Sequence, residues 1–220
     1  MDLRISDEVA SRFPGLRARL FEVRGVRVDP SNDALESFKE EAYARIRSAY
    51  TAESVKDDPV LRAYRDFYWD LGIDPTKTRP ASEALIRRIV SGKGLPRVNT
   101  LVDSYNLASA LSRVPLAAFD LDKLAGDALS VRFSRQGELF LGIGMDSPRI
   151  LSGKEVVVED GAGLIAIYPY RDAERTKVTE STRNVLVMVC GAPGVPEDAL
   201  EEAEALAKKL ITAFSAGVSP

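Results

Sequence analysis

The chain has 220 residues, 45% of them apolar and 29% charged, with a net charge of −3. That balance belongs to an ordinary globular domain able to bury a core without staples. It contains no histidine and one cysteine, Cys190, which excludes Ser-His-Asp and Cys-His catalysis and an internal disulfide, and makes a zinc site improbable. No leader-like segment opens the sequence and no apolar run approaches membrane-span length, so a cytoplasmic protein is expected.

Residues 6–13 read as a short helix capped by Ser6 and stopped by Pro14-Gly15. Leu20–Val28 alternates as a strand interrupted at Gly25. Asp33 with Glu36 opens a helix whose apolar stripe is Leu35, Phe38, Ala42, Ile46 and Ala49. Asp58-Pro59 starts another, with Val60, Tyr64, Phe67 and Leu71 at helical spacing and Gly72 as its stop. Their periodicity marks these aromatics as core rather than as a base-stacking platform. Arg79-Pro80 begins a helix that buries Leu85, Ile86, Ile89 and Val90 and ends in SGKG, a turn that lacks the spacing of a P-loop. Thr100 and Asp103 suggest a capping box for a helix over 101–111, although Asn99 serves equally well as the cap.

From Leu116 the period changes from helical to alternating. Leu129–Phe133 and Glu138–Ile143 flank a short Ser-Arg-Gln-Gly turn and read as a hairpin. Glu155–Val158, Leu164–Tyr168 and Asn184–Val189 are further strands. Pro196 starts a last amphipathic helix with Leu200, Ala203, Ala207, Leu210 and Phe214 on one side. Helices in the first half and strands in the second give an α+β fold. A single domain over 1–220 is expected, with 1–75 as a helical layer around a core over 76–220.

Charge is unevenly spread. Between Thr76 and Arg97 lie Lys77, Arg79, Arg87, Arg88, Lys93 and Arg97, opposed by Glu83 alone, a local excess of five. Either a solvated helix face or a phosphate-contacting patch accounts for it.

Two segments carry the most specific information. One is LPRVNTLVDSYNLASALSRVPLAAFDLDKLAG over 95–126; the other is TKVTESTRNV over 176–185. The residues Asn99, Val102, Asp103, Asn106, Pro115, Ala118, Phe119, Asp120, Leu121, Asp122, Lys123, Leu124, Thr182, Asn184 and Val185 resemble, in order and spacing, the B3/B4 domain of the phenylalanyl-tRNA synthetase β subunit. The likeness covers roughly the second half of the chain. It implies an α+β domain with a mainly antiparallel or mixed sheet flanked by helices. YPYRD over 168–172 and Arg79-Pro-Ala-Ser-Glu-Ala-Leu85 resemble the free-standing branch of that family.

In the synthetase this domain hydrolyses tRNA carrying the wrong amino acid. The resemblance therefore implies a trans-acting aminoacyl-tRNA deacylase with mischarged tRNA as partner, and no metal, cofactor or membrane. Counting back from Thr182-x-Asn184-Val185 puts the family's editing glutamate on Glu174 and its serine on Thr176, with Asp172 and Ala173 in place of two glycines. The pocket histidine falls on Ala117, which widens the pocket or changes its polarity. Catalysis survives that loss if a water is held in line, fixed donors meet the oxyanion and the adenosine hydroxyl beside the ester assists. The hydroxyls of Thr176, Thr179 and Thr182 are candidate donors. Glu174 and Thr176 are thus the candidate catalytic residues. Asn106, Ala117, Tyr168, Tyr170 and Arg171 are the candidate substrate contacts, and Arg79, Arg87, Arg88, Lys93 and Arg97 the candidate RNA contacts. Asp120 and Asp122 read as turn formers, and Asn106 and Asn184 as bridges between backbone segments. The alternatives are a non-catalytic module that binds tRNA or an amino-acid-like ligand, and a hydrolase of a small amino-acid derivative. No ATP-binding motif of a complete synthetase is present.

Overall fold

The strand β10 (Asn184–Cys190) is buried at every residue but its first, as the unbroken apolar run VLVMVC requires of a central strand. It pairs antiparallel on one side with β2 (Ala18–Arg24) and on the other with β3 (Leu116–Asp120). In the second pairing Ala117 faces Met188 and Asp120 faces Val185. The structure, a computed structural model, describes residues 1–215. A second sheet has the order β1 (Asp2–Ile5), β4 (Ala128–Phe133), β7 (Val156–Asp160), β8 (Gly163–Ile167) and β9 (Arg171–Asp172). The β1–β4 pair is parallel and the others antiparallel. A separate ribbon joins β5 (Gln136–Phe140) and β6 (Arg149–Ser152). The architecture is α+β with mixed sheets, as expected.

The helices follow their start signals. In α1 (Asp7–Arg12) Ser6 accepts from the Val9 N–H. In α3 (Pro59–Asp70) Asp58 accepts from the N–H groups of Val60 and Leu61, and Gly72 ends the segment at φ +73°, a conformation that glycine adopts without a Cβ penalty. One cap differs from expectation: the helix α2 (Asp33–Ala49) is capped by Asn32, one residue early. Of the two caps open for α5 (Thr100–Ser112), Asn99 is the one used, accepting from Val102. Thr100 instead accepts from the Asp29 N–H, and Asp103 accepts from Val98. In the last helix, α6 (Glu197–Ser215), Leu200, Ala203, Ala207 and Leu210 are buried as the stripe requires. It packs along α5. No helix among the described residues is long and apolar enough to cross a membrane.

Three further differences have physical causes. The expected hairpin between 129–133 and 138–143 does not form, because β4 already has β1 and β7 as neighbours and β5 pairs with β6. Sequence proximity lost to a partner that offered a buried apolar face. Residues 1–75 are not only helical, since β1 and β2 enter the two larger sheets. In α4 (Ala81–Val90) Leu85 and Val90 are only partly covered, while Ser82 and Glu83 are wholly buried with Ile86 and Ile89.

Two buried charge clusters hold the helical layer. Lys39, 2% exposed, pairs with Asp103 and with Glu36. Burial opposes its charge and the two carboxylates restore it, leaving its pKa raised. Glu83, fully buried, receives Arg65 at 3.1 Å and Arg87 at 2.7 Å. Removing one partner of a buried pair leaves an uncompensated charge in low dielectric. Lys39→Met is therefore expected to destabilise the protein by about 3 kcal/mol in urea titration, and a loss below about 1 kcal/mol would show Asp103 satisfied without it.

Candidate functional site: a cavity between the two larger sheets

The motif segments singled out in the sequence meet across the β3–β10 pair. The Thr182 hydroxyl donates to Asp120 at 2.8 Å, and the Asn184 amide donates to both oxygens of Asp122, at 2.9 and 3.1 Å. Asn184 also accepts from the Gly25 N–H. Asp120, Asp122, Thr182 and Asn184 are therefore a latch between strand ends. Thr179 joins it, its N–H donating to the Thr182 oxygen.

Beside this latch the chain leaves β8 through the Tyr168–Pro169 bond, which is cis, and returns as β9. The Tyr170 N–H donates to Ile167 O at 2.7 Å, and Arg171 and Asp172 pair back onto Ile167 and Ala166. The Ile143 N–H donates to Asp172 O at 2.9 Å, holding β9 from its other side. Gly142 lets Arg171 lie across this loop, where a Cβ would come within 2.5 Å of the arginine Cδ. The guanidinium thereby reaches Ile143 O at 3.0 Å and stacks 5.5 Å from the Tyr170 ring centre. Two phenols fix the opposite wall. Tyr64 donates to Cys190 O at 2.7 Å and Tyr168 to Gly191 O at 2.5 Å.

Between these elements lies a cavity of about 140 Å³. Its walls come from the start of α4 (Ala81), from α5 (Tyr105, Asn106), from β3 (Ala117), from β10 (Met188, Cys190) and from Tyr168 to Asp172. An apolar cavity of ~150 Å³ accepts a benzene ring, so this one has room for a group of about that size. Asp172 is its one carboxylate. Burial pushes its pKa up to about 7, opposed by a hydrogen bond from the Ala118 N–H. Burial, followed by the Asp172 charge, raises the Tyr105 hydroxyl and the Cys190 thiol, so both stay neutral near pH 7. Beside Ala81, which lines the cavity, α4 begins without a side-chain cap, leaving first-turn N–H groups without intrahelical partners.

The cavity shares Ile167, Tyr168 and Tyr170 with an open trough of about 520 Å³, which also takes in Lys77, Arg149 and Lys154. Arg149 is paired with Glu155 at 2.8 Å and Lys77 stands 3.9 Å from Asp74.

Five sequence candidates thus come together in one cavity: Asn106, Ala117, Tyr168, Tyr170 and Arg171. Tyr168 contributes its ring, because its hydroxyl is committed to backbone. Glu174 and Thr176 lie outside the lining. Glu174 sits on a short turn and pairs with Lys177. Thr176 is wholly buried, with its hydroxyl unpartnered, so it faces no solvent-filled space. The basic segment is partly spent. Arg87 serves Glu83 and Ala52 O, Arg88 donates to Gly94 O, and Arg97 pairs with Glu36 at 2.9 Å. Arg79 and Lys93 are exposed. Sequence reasoning missed Asp172, which the glycine-rich register presented as a loss. No strand period could have found it, because β9 is two residues long and Tyr170 lies in the turn before it.

The B3/4 domain family model matches residues 63–210. Among curated relatives, the phenylalanine–tRNA ligase beta subunit of Bartonella quintana (strain Toulouse) is 33% identical over 135 residues, 58% of this chain and 16% of that protein. That of Protochlamydia amoebophila (strain UWE25) is 31% identical over 107 residues, 49% of this chain and 13% of the relative. The chain therefore spans about a sixth or less of the length of these relatives. Among solved structures, an N-terminal fragment of the phenylalanyl-tRNA synthetase beta subunit from Pyrococcus horikoshii superimposes with a TM-score of 0.53 at 13% identity, covering 97% of this chain and 48% of that one, a likeness of fold. With well over half of its residues inside the match, the chain belongs to the B3/4 domain family.

Proposed function

We propose that this protein is a trans-acting deacylase that hydrolyses the ester between a wrongly attached amino acid and the terminal adenosine of tRNA. The observation that carries the reading is the cavity, placed within the family match and with room for a group of about the size of a benzene ring. Its relatives are named as phenylalanine–tRNA ligase beta subunits, which supports a tRNA-related role. In the proposed reaction, water attacks the ester carbonyl, the carbon–oxygen bond to the ribose breaks, and the ribose oxygen takes up the proton that water gives up. With no imidazole in the chain, rate enhancement falls to positioning and to fixed dipoles. The uncapped start of α4 supports this, because its free N–H groups suit a developing oxyanion. Asn106, Ala117, Tyr168, Tyr170 and Arg171 are assigned to the acyl group and the adenosine, with Tyr170 as the stacking face between cavity and trough.

The test is hydrolysis of a panel of tRNAs charged with correct and incorrect amino acids. Turnover of at least one misacylated species well above the uncatalysed rate is expected, and its absence across the panel would leave a ligand-binding module. Ala117→Leu places three more carbons against a cavity of about 140 Å³. It is expected to lower kcat/KM for bulky aminoacyl groups at least about tenfold relative to alanyl, a difference near 1.4 kcal/mol. Equal losses for both sizes would take Ala117 out of the acyl pocket. Glu174→Gln, outside the lining, is expected to keep turnover within about threefold; a loss comparable to that of a cavity variant would restore the glutamate assigned by register.

RNA is assigned to the trough. Lys77→Ala with Lys154→Ala is expected to weaken tRNA binding and to flatten its salt dependence by about one to two units. Arg79→Ala with Lys93→Ala, on the sequence-predicted patch, is the comparison. A flatter slope in the second pair alone would move the RNA to α4.

A further inference from the structure

Asp172 has a chemical setting that hydrolysis alone does not explain. It is the single carboxylate among the cavity-lining residues. The polar and titratable groups that line the cavity with it are Tyr105 and Asn106 from α5, Cys190 from β10, and Tyr168, Tyr170 and Arg171 from its own hairpin, while α4, β3, β7 and β8 contribute Ala81, Ala117, Val158 and Ala166. Arg171, the one cation in this set, is turned away to Ile143 O and the Tyr170 ring. Asp172 keeps partial exposure, but a carboxylate drawn partly out of water with no cation beside it has lost hydration and gained no charge partner. Its environment reflects this: burial raises the group to about 7, and a backbone N–H is all that opposes the rise. Such a site favours a ligand that brings the missing positive charge.

We propose that the cavity is an ammonium-selective site in which Asp172 is the counter-ion for the α-ammonium of an amino-acid moiety, whose side chain fills the space beside Ala117. The proposal rests on the reading of this cavity as the acyl pocket, and it names the chemical class that the pocket accepts: primary ammonium groups carrying a small apolar or single-ring substituent. It also orients the ligand. With the ammonium at Asp172, the acyl carbonyl is left for the uncapped first turn of α4, whose Ala81 lines the same cavity.

Binding should then depend on pH with a definite sign. A ligand cation pairs with the ionised carboxylate, so affinity is full above about 7 and falls about tenfold per pH unit below it as the free protein takes up the competing proton. The stability effect runs the other way in the free protein. A carboxyl raised above its unfolded value makes the native state hold the extra proton, so stability declines as pH rises from about 4 toward 7. Asp172→Asn removes that decline.

The experiment is calorimetric titration of the whole chain with 2-phenylethylamine, which stays protonated throughout the range, and with its neutral counterpart 2-phenylethanol, between pH 5 and pH 8. The amine is expected to bind at least about tenfold more tightly than the alcohol at pH 8, an ion-pair preference that fades below about pH 7. Asp172→Asn is expected to abolish both the preference and the pH dependence while melting no lower than the wild type at pH 8. Equal affinities for amine and alcohol in the wild type, no detectable binding of the amine, or an undiminished preference in the variant would each overturn the proposal. The wild-type comparison decides the matter even if the variant fails to fold. Amine selectivity without turnover of any charged tRNA would leave the ammonium site standing and remove the deacylase reading. Turnover without amine selectivity would do the reverse.

Discussion

The cavity depends on two buried phenols that hold the end of the central strand. Tyr64, from α3, donates to the carbonyl of Cys190, and Tyr168, from the end of β8, donates to that of Gly191. Both rings are buried, and burial keeps both hydroxyls protonated as donors. At this point β10 runs out of sheet partners, and an unpaired carbonyl in the interior would cost a few kcal/mol. The phenols satisfy the strand end and fix the distance between the sheets. Gly191 lets the Arg17 backbone lie against the strand end, since a Cβ there would stand 2.4 Å from Arg17 O. A space remains where α4, α5, β3, β10 and the segment from Tyr168 to Asp172 converge without filling the gap.

How much of this was legible in the sequence follows from what each signal encodes. The family segments were legible because their polar residues serve the backbone: Asp120 holds Thr182 and Asp122 holds Asn184 across a strand pair. Ala117 was placed by its register with the family's pocket histidine, and Tyr168, Tyr170 and Arg171 by the aromatic faces and guanidinium that YPYRD offers at a strand end; with Asn106 from the family helix, all line the cavity. Asp172 was not found because the register assigns a glycine there, and a comparison of letters records a missing glycine rather than a gained carboxylate. Glu174 shows the converse: its letter matched, but two residues further along a strand and its following turn the chain has left the cavity wall.

Strand partners and charge partners were the least legible features. Proximity along the chain suggested that 129–133 and 138–143 would pair, yet β4 is sandwiched by β1 from the far N-terminus and β7. Long-range pairing depends on which faces are buried together, and local alternation carries no record of that. The basic segment 76–97 likewise looked like a free patch because Glu83 appeared as one acid among six cations. Once folded, that acid is buried and binds Arg87 together with Arg65, a partner from another helix. A sum of charges over a window is blind to partners outside it.

These features combine into an account in which fold and chemistry are linked by one unpaired carboxylate. The latch positions β3 against β10, the phenols set the depth of the cavity, and β9, braced by the loop at Gly142, turns Asp172 inward. The measurement that tests the account most directly is the titration of the Asp172 carboxyl, followed by its carbon-13 chemical shift, in the free protein and with a non-hydrolysable amide analogue of aminoacyl-adenosine bound. The account requires a midpoint near 7 in the free protein and a fall of more than about one pH unit once the ligand's ammonium is in place. A midpoint in the ordinary carboxylate range, or one that does not move on binding, would contradict it.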